Sequence, residues 1–375
     1  MPDLDQQACR GRQQRLVTAM HELGAELAVV TRMESVQWLT GARVGPLFCA
    51  CAALDAGGRL TLVLPSRKLE TPAAADGVVA YEEKWLSTMR DASDQRSASV
   101  AALLSAIGPV PRRVAYEATD GGALLAAGEH RADIAWQDIE WLDIDATLFH
   151  LRRRKDADEL ALLRRANDAN RVMYEVARER VAPGLNELDL YSALHTAAVK
   201  ELGEPLTYFG QDFRAGARGG PPRDRVAADG ELWVLDLGVG LRGYHSDNAR
   251  TLAVNGAPTD AQARAWELIA AVFPMIESSV RPGVSCREVF ATAEAMLAEA
   301  KPWVFNHHLG HGVGLAPHEG PHLNPNWDDT FAVGDFFTVE PGLYHDDLRQ
   351  GIRLEQNYVV TETGVELLTD WPLGL

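Results

Sequence analysis

Four carboxylates of this 375-residue chain lie in segments that otherwise have the apolar pattern of strands. Asp236 lies in LWVLDLG, Asp247 follows YHS, Glu340 lies in FFTVEPG and Glu355 lies in GIRLEQN. A lone carboxylate in such a segment usually faces solvent, because burying a charge is costly. The same feature in four segments weakens that interpretation and indicates that the carboxylates are gathered around cations.

Charge balance favours metal ions as those cations. Four ionised carboxylates carry a charge of about −4, which two divalent cations would neutralise. An imidazole is available in GHGVG, where His311 lies between glycines that allow the backbone to approach a ligand closely. Oxygen-rich ligation with one imidazole suits Mn²⁺, Fe²⁺, Co²⁺ or Zn²⁺ better than a thiolate-selected metal.

Two other patterns suggest different chemistry, but each lacks the element that it requires. Residues 238–243 match G-x-G-x-x-G, the dinucleotide-binding pattern, which needs a following helix to receive the pyrophosphate. The following segment has a strand pattern, so we reject a dinucleotide site. Residues 318–322 match H-E-x-x-H, which ligates zinc only on a helix, and Gly320 and Pro321 disfavour a helix there.

The predicted ligands fall on two predicted β-hairpins. Residues 232–238 and 244–254 are strand patterns separated by a glycine-rich turn, and residues 336–342 and 351–361 form a second, hairpin-like pair. Each hairpin therefore carries two of the four carboxylates.

A helix–Pro-Gly–helix pattern occurs twice in the same part of the chain. VAPGLNELD at 181–189 and VRPGVSCRE at 280–288 share V-x-P-G, then an aliphatic residue, then an N-cap type, Asn186 or Ser285. Coincidence is the alternative, because such punctuation is common. Two copies with matching flanks favour a duplicated, pseudo-symmetric domain with a site between its halves.

The first 150 residues have the pattern of a small α/β domain, and we find no group of candidate catalytic or metal-ligating residues in it. We place a domain boundary near residue 150, before a basic run that we interpret as a solvated helix entry. The predicted helices are at 7–23, 97–107 and 120–128, and the predicted strands are at 25–31, 60–65 and 114–117.

Composition argues against several classes of partner. The 36 basic and 53 acidic residues give a formal charge of −17, which disfavours binding to nucleic acid or anionic membranes. No apolar run approaches transmembrane length, and the N-terminal residues lack a signal-peptide pattern, so we predict a cytoplasmic location. The cysteines show no disulfide framework and are interpreted as idle thiols: Cys9, Cys49, Cys51 and Cys286.

Four ordered segments resemble the signatures of the pita-bread metallopeptidases, a family that includes methionine aminopeptidase, aminopeptidase P, prolidase and the metal-free creatinase. The first 150 residues resemble, more weakly, the N-terminal domain of the prolidase and creatinase branch. The resemblance implies an α+β fold, with a pseudo-two-fold pita-bread domain at 151–375 after a creatinase-like α/β domain at 1–150, and a homodimer. The segments are 236–251, 310–319, 338–344 and 351–357.

The resemblance also implies roles for individual residues. His318 matches a histidine that contacts substrate and stabilises the tetrahedral intermediate, His307 matches another active-site histidine, and Glu340 is expected to transfer a proton as well as bind metal. Arg353 is expected either to orient a ligand, Glu355, or to form a plain salt bridge. Tyr344 is expected to line the substrate pocket or to pack in the core. The implied ligands of two divalent ions, with Mn²⁺ favoured over Co²⁺, Zn²⁺ or Fe²⁺, are Asp236, Asp247, His311, Glu340 and Glu355. The remaining histidines considered are predicted to be surface or loop residues: His245, His308, His322 and His345.

The implied activity is hydrolysis of the Xaa-Pro bond in dipeptides or short peptides. Two positions depart from the family pattern. Gly219 falls about where prolyl peptidases have a histidine, with Arg214, Arg218 or Arg223 as candidate substitutes, and Ala249 replaces the usual threonine. The first departure leaves open a non-peptide amide or another small substrate. A catalytically silent binding module is a third alternative, and the intact ligand set counts against it.

Overall fold

The structure, a computed structural model, describes residues 3–83, 93–129 and 136–375. The chain divides into two compact units, residues 3–152 and 153–375. Within the described ranges, no helix is both long and apolar enough to cross a bilayer.

The N-terminal unit contains a mixed sheet, in which β2 runs antiparallel to β1 and β3 while the other pairings are parallel. The strands, in chain order, are β1 (Leu27–Val30), β2 (Cys51–Asp55), β3 (Leu60–Pro65), β4 (Gly77–Tyr81), β5 (Arg113–Tyr116) and β6 (Glu140–Asp143). Their spatial order is β4-β3-β2-β1-β5-β6. The helices are α1 (Gln6–Leu23), α2 (Met33–Thr40), α3 (Ser93–Ile107), α4 (Gly122–Glu129) and α5 (Asp145–Arg153).

The predicted helices and strands of this unit are present, but five further elements were not predicted, namely α2, α5, β2, β4 and β6. The helix α2 is eight residues long and β2 is five residues long, and nearly all of their residues are buried. Such short segments, buried on all sides, show neither the helical nor the strand alternation of polar and apolar residues.

The C-terminal unit combines five helices with three sheets among its described residues. The helices are α6 (Ala157–Arg180), α7 (Glu187–Leu202), α8 (Asp260–Ala270), α9 (Val272–Ser279) and α10 (Cys286–Ala298). The first sheet has the order β10-β8-β7, with β9 beside β8, and consists of β7 (Tyr208–Asp212), β8 (Leu232–Leu241), β9 (Tyr244–His245) and β10 (Asn248–Ala253). The second has the order β12-β11-β13-β16-β17, and β14 pairs with β15 in the third. These strands are β11 (Gly310–Gly312), β12 (Glu319–Leu323), β13 (Phe336–Val339), β14 (Gly342–Leu343), β15 (Ile352–Arg353), β16 (Gln356–Val360) and β17 (Val365–Leu367).

Both predicted hairpins are confirmed. The strand β8 pairs antiparallel with β9 and β10, and all ten of its residues are buried. The strands β13 and β14 pair antiparallel with β16 and β15, with a break in the ladder around Glu340 and Glu355. A strand follows the glycine-rich turn at 238–243, so the rejection of a dinucleotide site is also confirmed.

The repeated V-x-P-G segment is a structural duplication. In the first copy, residues 184–187 pair with residues 225–227 through backbone hydrogen bonds of 2.8–2.9 Å. In the second copy, residues 283–286 pair in the same way with residues 329–331, at 2.7–2.9 Å. The matching contacts confirm the predicted pseudo-two-fold fold.

The N-cap residues of the two copies offer a test of this local structure. The Asn186 side chain accepts a hydrogen bond from the amide of Leu188, and Ser285 accepts one from the amide of Glu288. We expect Asn186→Ala and Ser285→Ala each to lower the free energy of unfolding in urea by about 1 kcal/mol. Thr196→Ala, at an exposed mid-helix position of α7, serves as the control. A loss in the control as large as that in the cap variants would contradict this role.

Candidate metal centre

The five predicted ligand side chains converge in the C-terminal unit, and all five are buried. Carboxylate oxygens of Asp236, Asp247 and Glu355 lie within 4.8 Å of one another. The Nε2 atom of His311 lies 3.6 Å from Asp247 Oδ2 and 3.4 Å from Glu340 Oε1. Strands from both halves of the duplication therefore contribute to one cluster, which we call the carboxylate cage.

Several oxygens of the cage lack a hydrogen-bond donor. Within the part of the chain that the structure describes, Asp236 Oδ1, Asp247 Oδ1 and both carboxylate oxygens of Glu355 are buried without a partner. Buried polar atoms in folded proteins nearly always have one. Cations bound between these oxygens would provide the missing partners, so the donor set fits divalent metal ions.

Electrostatics in the absence of metal lead to the same conclusion. Burial, reinforced by the neighbouring carboxylates, raises the pKa values of Asp247 and Glu355 well above the usual range. Burial raises the pKa of Asp236 too, although the nearby Arg353 guanidinium opposes this shift. The three groups therefore resist being ionised together unless positive charge is added.

Glu340 differs from the other carboxylates because two imidazoles contact it. Burial acts to raise its pKa, but hydrogen bonds from His308 and His311 outweigh this effect and hold the pKa well below the usual range. His308 lies in a loop, as predicted, but its Nε2 atom is 3.0 Å from Glu340 Oε1, a contact that the prediction did not include. That residue follows His307 in an irregular segment, where the sequence gives no indication of which way a side chain points.

The tautomer of His311 can be inferred from its backbone contact. Its Nδ1 atom lies 2.9 Å from the carbonyl oxygen of Gly312, which can only accept, so Nδ1 carries the proton. The Nε2 atom therefore faces oxygens of Asp247 and Glu340 with its lone pair unless it is protonated. A cation between these atoms would be bound by all three side chains, and a backbone bond at Nδ1 is typical of a metal-ligating histidine.

Close backbone approaches explain the glycines on either side of His311. A Cβ atom on Gly310 would lie 2.0 Å from the carbonyl oxygen of Thr338, and one on Gly312 would lie 1.9 Å from that of Gly320. Real Cβ atoms are not found so close to backbone oxygens. The two glycines therefore allow β11 to carry His311 between its neighbouring strands.

His318 stacks on His311, with ring centroids 3.6 Å apart and ring planes inclined by 14°. Its side chain remains accessible to solvent. Partial desolvation, together with the proximity of His311, lowers the pKa of His318 to about 4. The arrangement places a neutral imidazole at the accessible side of the cage.

The segment after His318 is a strand and not a helix, so the rejection of an H-E-x-x-H zinc site is confirmed. Glu319 is buried and its Oε2 atom lies 2.9 Å from Lys155 Nζ, also buried. Its other oxygen accepts a hydrogen bond from the amide of Ala316 at 3.1 Å. This ion pair fixes the backbone next to His318.

A cavity of about 340 Å³ adjoins Glu340. Its lining residues are Arg218, Gly219, His307, His308, Glu340, Tyr344 and Arg353. His307 Nδ1 lies 2.7 Å from the carbonyl oxygen of His308, and His307 Nε2 lies 3.0 Å from the Tyr344 hydroxyl. Burial lowers the pKa of His307 to about 4, so Nδ1 donates to the carbonyl and Nε2 accepts from Tyr344. These two hydrogen bonds therefore fix the rings of His307 and Tyr344, both of which were predicted to bind substrate.

Arg353 contacts a different carboxylate from the one expected. Its Nη2 atom pairs with Asp212 and lies 3.1 Å from Asp236 Oδ2. The prediction that it orients Glu355 is therefore wrong, and the alternative of a salt bridge is correct. Asp212 and Asp236 are directly opposed in the β7–β8 register, so this arginine neutralises a like-charged cross-strand pair.

Buried polar side chains behind the cage hold its strands together. The Arg250 guanidinium donates to the side chain of Asn248 and the carbonyl of Ala249, both at 2.9 Å, and also to the carbonyl of Glu355. Burial lowers the pKa of Arg250 to about 10. Gln211 Nε2 donates to Asp247 Oδ2 at 3.0 Å and was not foreseen from the sequence. These groups fix where the carboxylates point.

Ala249, one of the two departures from the family pattern, lies directly opposite Asp236 in the β8–β10 register. Directly opposed residues of an antiparallel pair project from the same face. A methyl group there cannot donate a hydrogen bond, which agrees with the unpartnered Oδ1 atom of Asp236.

Comparison with family models agrees with this geometry. The model of metallopeptidase family M24 matches residues 161–362, which include the whole cage. The chain belongs to metallopeptidase family M24. A second model, of the creatinase/prolidase N-terminal domain, matches residues 12–153. The family, the α+β pita-bread fold and the creatinase-like N-terminal domain were thus correctly predicted, and membership of M24 implies that divalent metal is bound.

Individual M24 proteins resemble the chain at moderate identity. "Probable dipeptidase PepE" of Mycobacterium tuberculosis strain H37Rv is 32% identical over 231 residues, 60% of each chain. "Xaa-Pro dipeptidase" of Pyrococcus horikoshii is 27% identical over 234 residues, 61% of this chain and 66% of the relative. Both matches span less than two thirds of the relatives' own length. The crystal structure of dipeptidase PepE from Mycobacterium ulcerans superposes with a TM-score of 0.78 at 25% identity, covering 100% of this chain and 98% of that chain.

The raised pKa values of Asp247 and Glu355 link the stability of the metal-free protein to pH. The folded state binds these protons more tightly than the unfolded chain does, so the free energy of unfolding should fall as the pH rises above the usual carboxylate value of about 4. We expect the urea midpoint of metal-free protein to decrease from about pH 5 to pH 8.

Asp247→Asn should flatten this dependence, because it removes one of the mutually repelling charges. Asp229→Asn, at an acid whose side chain bonds Asn255, is the matched control and should leave the slope unchanged. A midpoint that does not depend on pH in the metal-free wild type would contradict the electrostatic description of the cage.

Proposed function

We propose that the chain is a dinuclear-metal-dependent peptidase that hydrolyses the Xaa-Pro bond of dipeptides or short peptides. The observation that carries the proposal is the buried cage of four carboxylates and one imidazole beside a small cavity. The names of its M24 relatives, a dipeptidase and an Xaa-Pro dipeptidase, support the same substrate class.

The proposed metal ligands are those of the cage. Two divalent cations bound there would supply Lewis acidity, polarising a carbonyl oxygen and acidifying water. We propose Mn²⁺ as the cation, because oxygen ligands dominate the donor set and a single imidazole completes it. The proposed ligands are Asp236, Asp247, His311, Glu340 and Glu355.

Glu340 is the proposed proton carrier of the reaction. Its Oε1 atom lies 3.0 Å from His308 Nε2 and 3.4 Å from His311 Nε2, so the carboxylate is held in its ionised form, which is the form that can accept a proton. Glu340 would accept a proton from the attacking water and pass it to the leaving nitrogen.

His318 is the proposed oxyanion donor. Its accessible, neutral ring stacks on His311 at the edge of the cage, and an N–H of such a ring can donate to charge that develops on a carbonyl oxygen. His307 and Tyr344, joined by their hydrogen bond of 3.0 Å, and Arg353 would form the wall against which the substrate lies.

We further propose a catalytic domain at 151–375 after an N-terminal domain at 1–150, a homodimeric assembly and a cytoplasmic location. The four cysteines are free thiols, which suits a reducing compartment. Light scattering of the purified protein tests the dimer.

A second candidate function is hydrolysis of a non-peptide amide by the same cage. One observation favours it: Gly219 lines the cavity, and it falls about where the resemblance to prolyl peptidases implies a histidine. A substrate panel that includes simple amides separates the two candidates.

The test is turnover of Xaa-Pro dipeptides and longer Xaa-Pro peptides by metal-free protein, with and without added Mn²⁺. We expect activity to disappear on chelation and to return with Mn²⁺. Asp247→Asn should lose bound metal by elemental analysis and reduce kcat/KM more than about 100-fold, because the cage then lacks a charge and a ligand atom. The control Asp229→Asn should retain both. Turnover by a variant that binds no metal would contradict the proposal.

A further inference from the structure

Arg218 lies at the mouth of the cavity beside the cage. Its guanidinium carbon is 3.8 Å from the centre of the Tyr344 ring, and its Nη2 atom donates to Asn306 Oδ1 at 2.6 Å. The same cavity is lined by Glu340, one of the proposed metal ligands. The two contacts hold a positive charge next to the place where the scissile bond would lie.

The two arginines that line the cavity differ in whether a carboxylate compensates their charge. Arg353 is paired with Asp212 and Asp236, so its charge is already compensated. Arg218 has no ion pair with any residue that the structure describes, and its partners there are an amide oxygen and an aromatic face. A guanidinium has five N–H donors, so most of those on Arg218 remain available to a ligand.

The backbone next to Arg218 explains why this side chain occupies the mouth. A Cβ atom on Gly219 would lie 2.2 Å from Asp212 Oδ2. Asp212 cannot easily move away, because it pairs with Arg353 and accepts a hydrogen bond from the amide of Gly220. A larger side chain is therefore excluded at position 219, and Arg218 is the residue of this loop that reaches the cavity.

Arg214 and Arg223, the other candidates for this role, are engaged elsewhere. Arg214 Nε donates to the carbonyl of Pro221 at 2.9 Å, and Arg223 pairs with the buried carboxylate of Glu187 at 2.6 Å. Neither lines the cavity.

We propose that Arg218 binds a carboxylate of the substrate and so determines specificity. This inference rests on the proposed peptidase function. A guanidinium binds a carboxylate through paired hydrogen bonds, which a neutral amide cannot reproduce. The carboxylate is either the C-terminus of a dipeptide or an acidic side chain on the residue that follows proline, and a cavity of about 340 Å³ suits substrates of this size.

The experiment compares kcat/KM for two matched substrate pairs with the Mn²⁺-loaded protein. Ala-Pro and Ala-Pro-amide differ in the C-terminal carboxylate, and Ala-Pro-Asp-amide and Ala-Pro-Asn-amide differ in the side-chain carboxylate. In Arg218→Met, we expect kcat/KM for the acidic member of one pair to fall roughly 10- to 100-fold, mostly through KM, because a hydrogen bond to a charged group is lost. The neutral members should change less than about threefold.

Two further variants separate recognition from general damage. Arg218→Lys should recover part of the loss, because it restores the charge without the planar fork. Arg214→Met removes the same charge from the same loop outside the cavity and should match the wild type on all substrates.

The outcomes are distinct. Loss confined to Ala-Pro assigns the C-terminal carboxylate, and loss confined to Ala-Pro-Asp-amide assigns the side chain. Equal losses on acidic and neutral substrates, or no loss at all, would overturn the role of Arg218.

Calorimetric binding of proline and prolinamide keeps the inference testable if no peptide is hydrolysed, a result by which the proposed function itself would fail. Proline binding that exceeds prolinamide binding and is weakened in Arg218→Met would then support carboxylate recognition. Binding that the substitution leaves unchanged would refute it.

Discussion

Asp236, Asp247 and Glu355 are held with carboxylate oxygens within 4.8 Å of one another and away from solvent. Buried like charges at this distance repel one another strongly. The backbone must therefore hold the cage together against that repulsion. Pairing of β8 with β10 provides part of this support, and the amide of Glu355 donates to the carbonyl of Ala249 at 2.9 Å. Arg250 completes it by bonding the strand segments on both sides. Strand pairing and Arg250 thus support a site that would otherwise separate.

Positive charge around the cage is distributed unevenly. Arg353 contacts Asp236, and the imidazoles of His308 and His311 contact Glu340, whereas both oxygens of Glu355 have no partner among the described residues. The protein therefore compensates only part of the negative charge with its own side chains. The uncompensated part is where cations would bind. Glu340 differs from the other carboxylates because its ionised form is already stabilised, which suits a group that would bind a cation.

The sequence revealed the cage because its carboxylates interrupt apolar strand patterns, and it revealed the duplication because V-x-P-G occurs twice with the same flanks. The glycines around His311 marked the candidate imidazole, and resemblance to a known family then supplied the expected roles of the histidines. The partners of the cage were not predictable in the same way. His308 lies in an irregular segment, and Gln211 reaches Asp247 only because β7 pairs with β8. Contacts of this kind depend on tertiary pairing, for which local spacing gives no signal.

Asp212 connects the cage with the wall of the cavity. It accepts from Arg353, which also contacts the proposed ligand Asp236, and it limits position 219 to glycine. One carboxylate therefore affects both the electrostatics of the cage and the side chain presented at the mouth of the cavity. A larger residue at position 219 would have to displace Asp212. Arg353 would then lose one of the two carboxylates that compensate its charge. Gly219 therefore belongs to a connected set of residues with Asp212 and Arg353, and Arg218 lies beside that set at the mouth of the cavity.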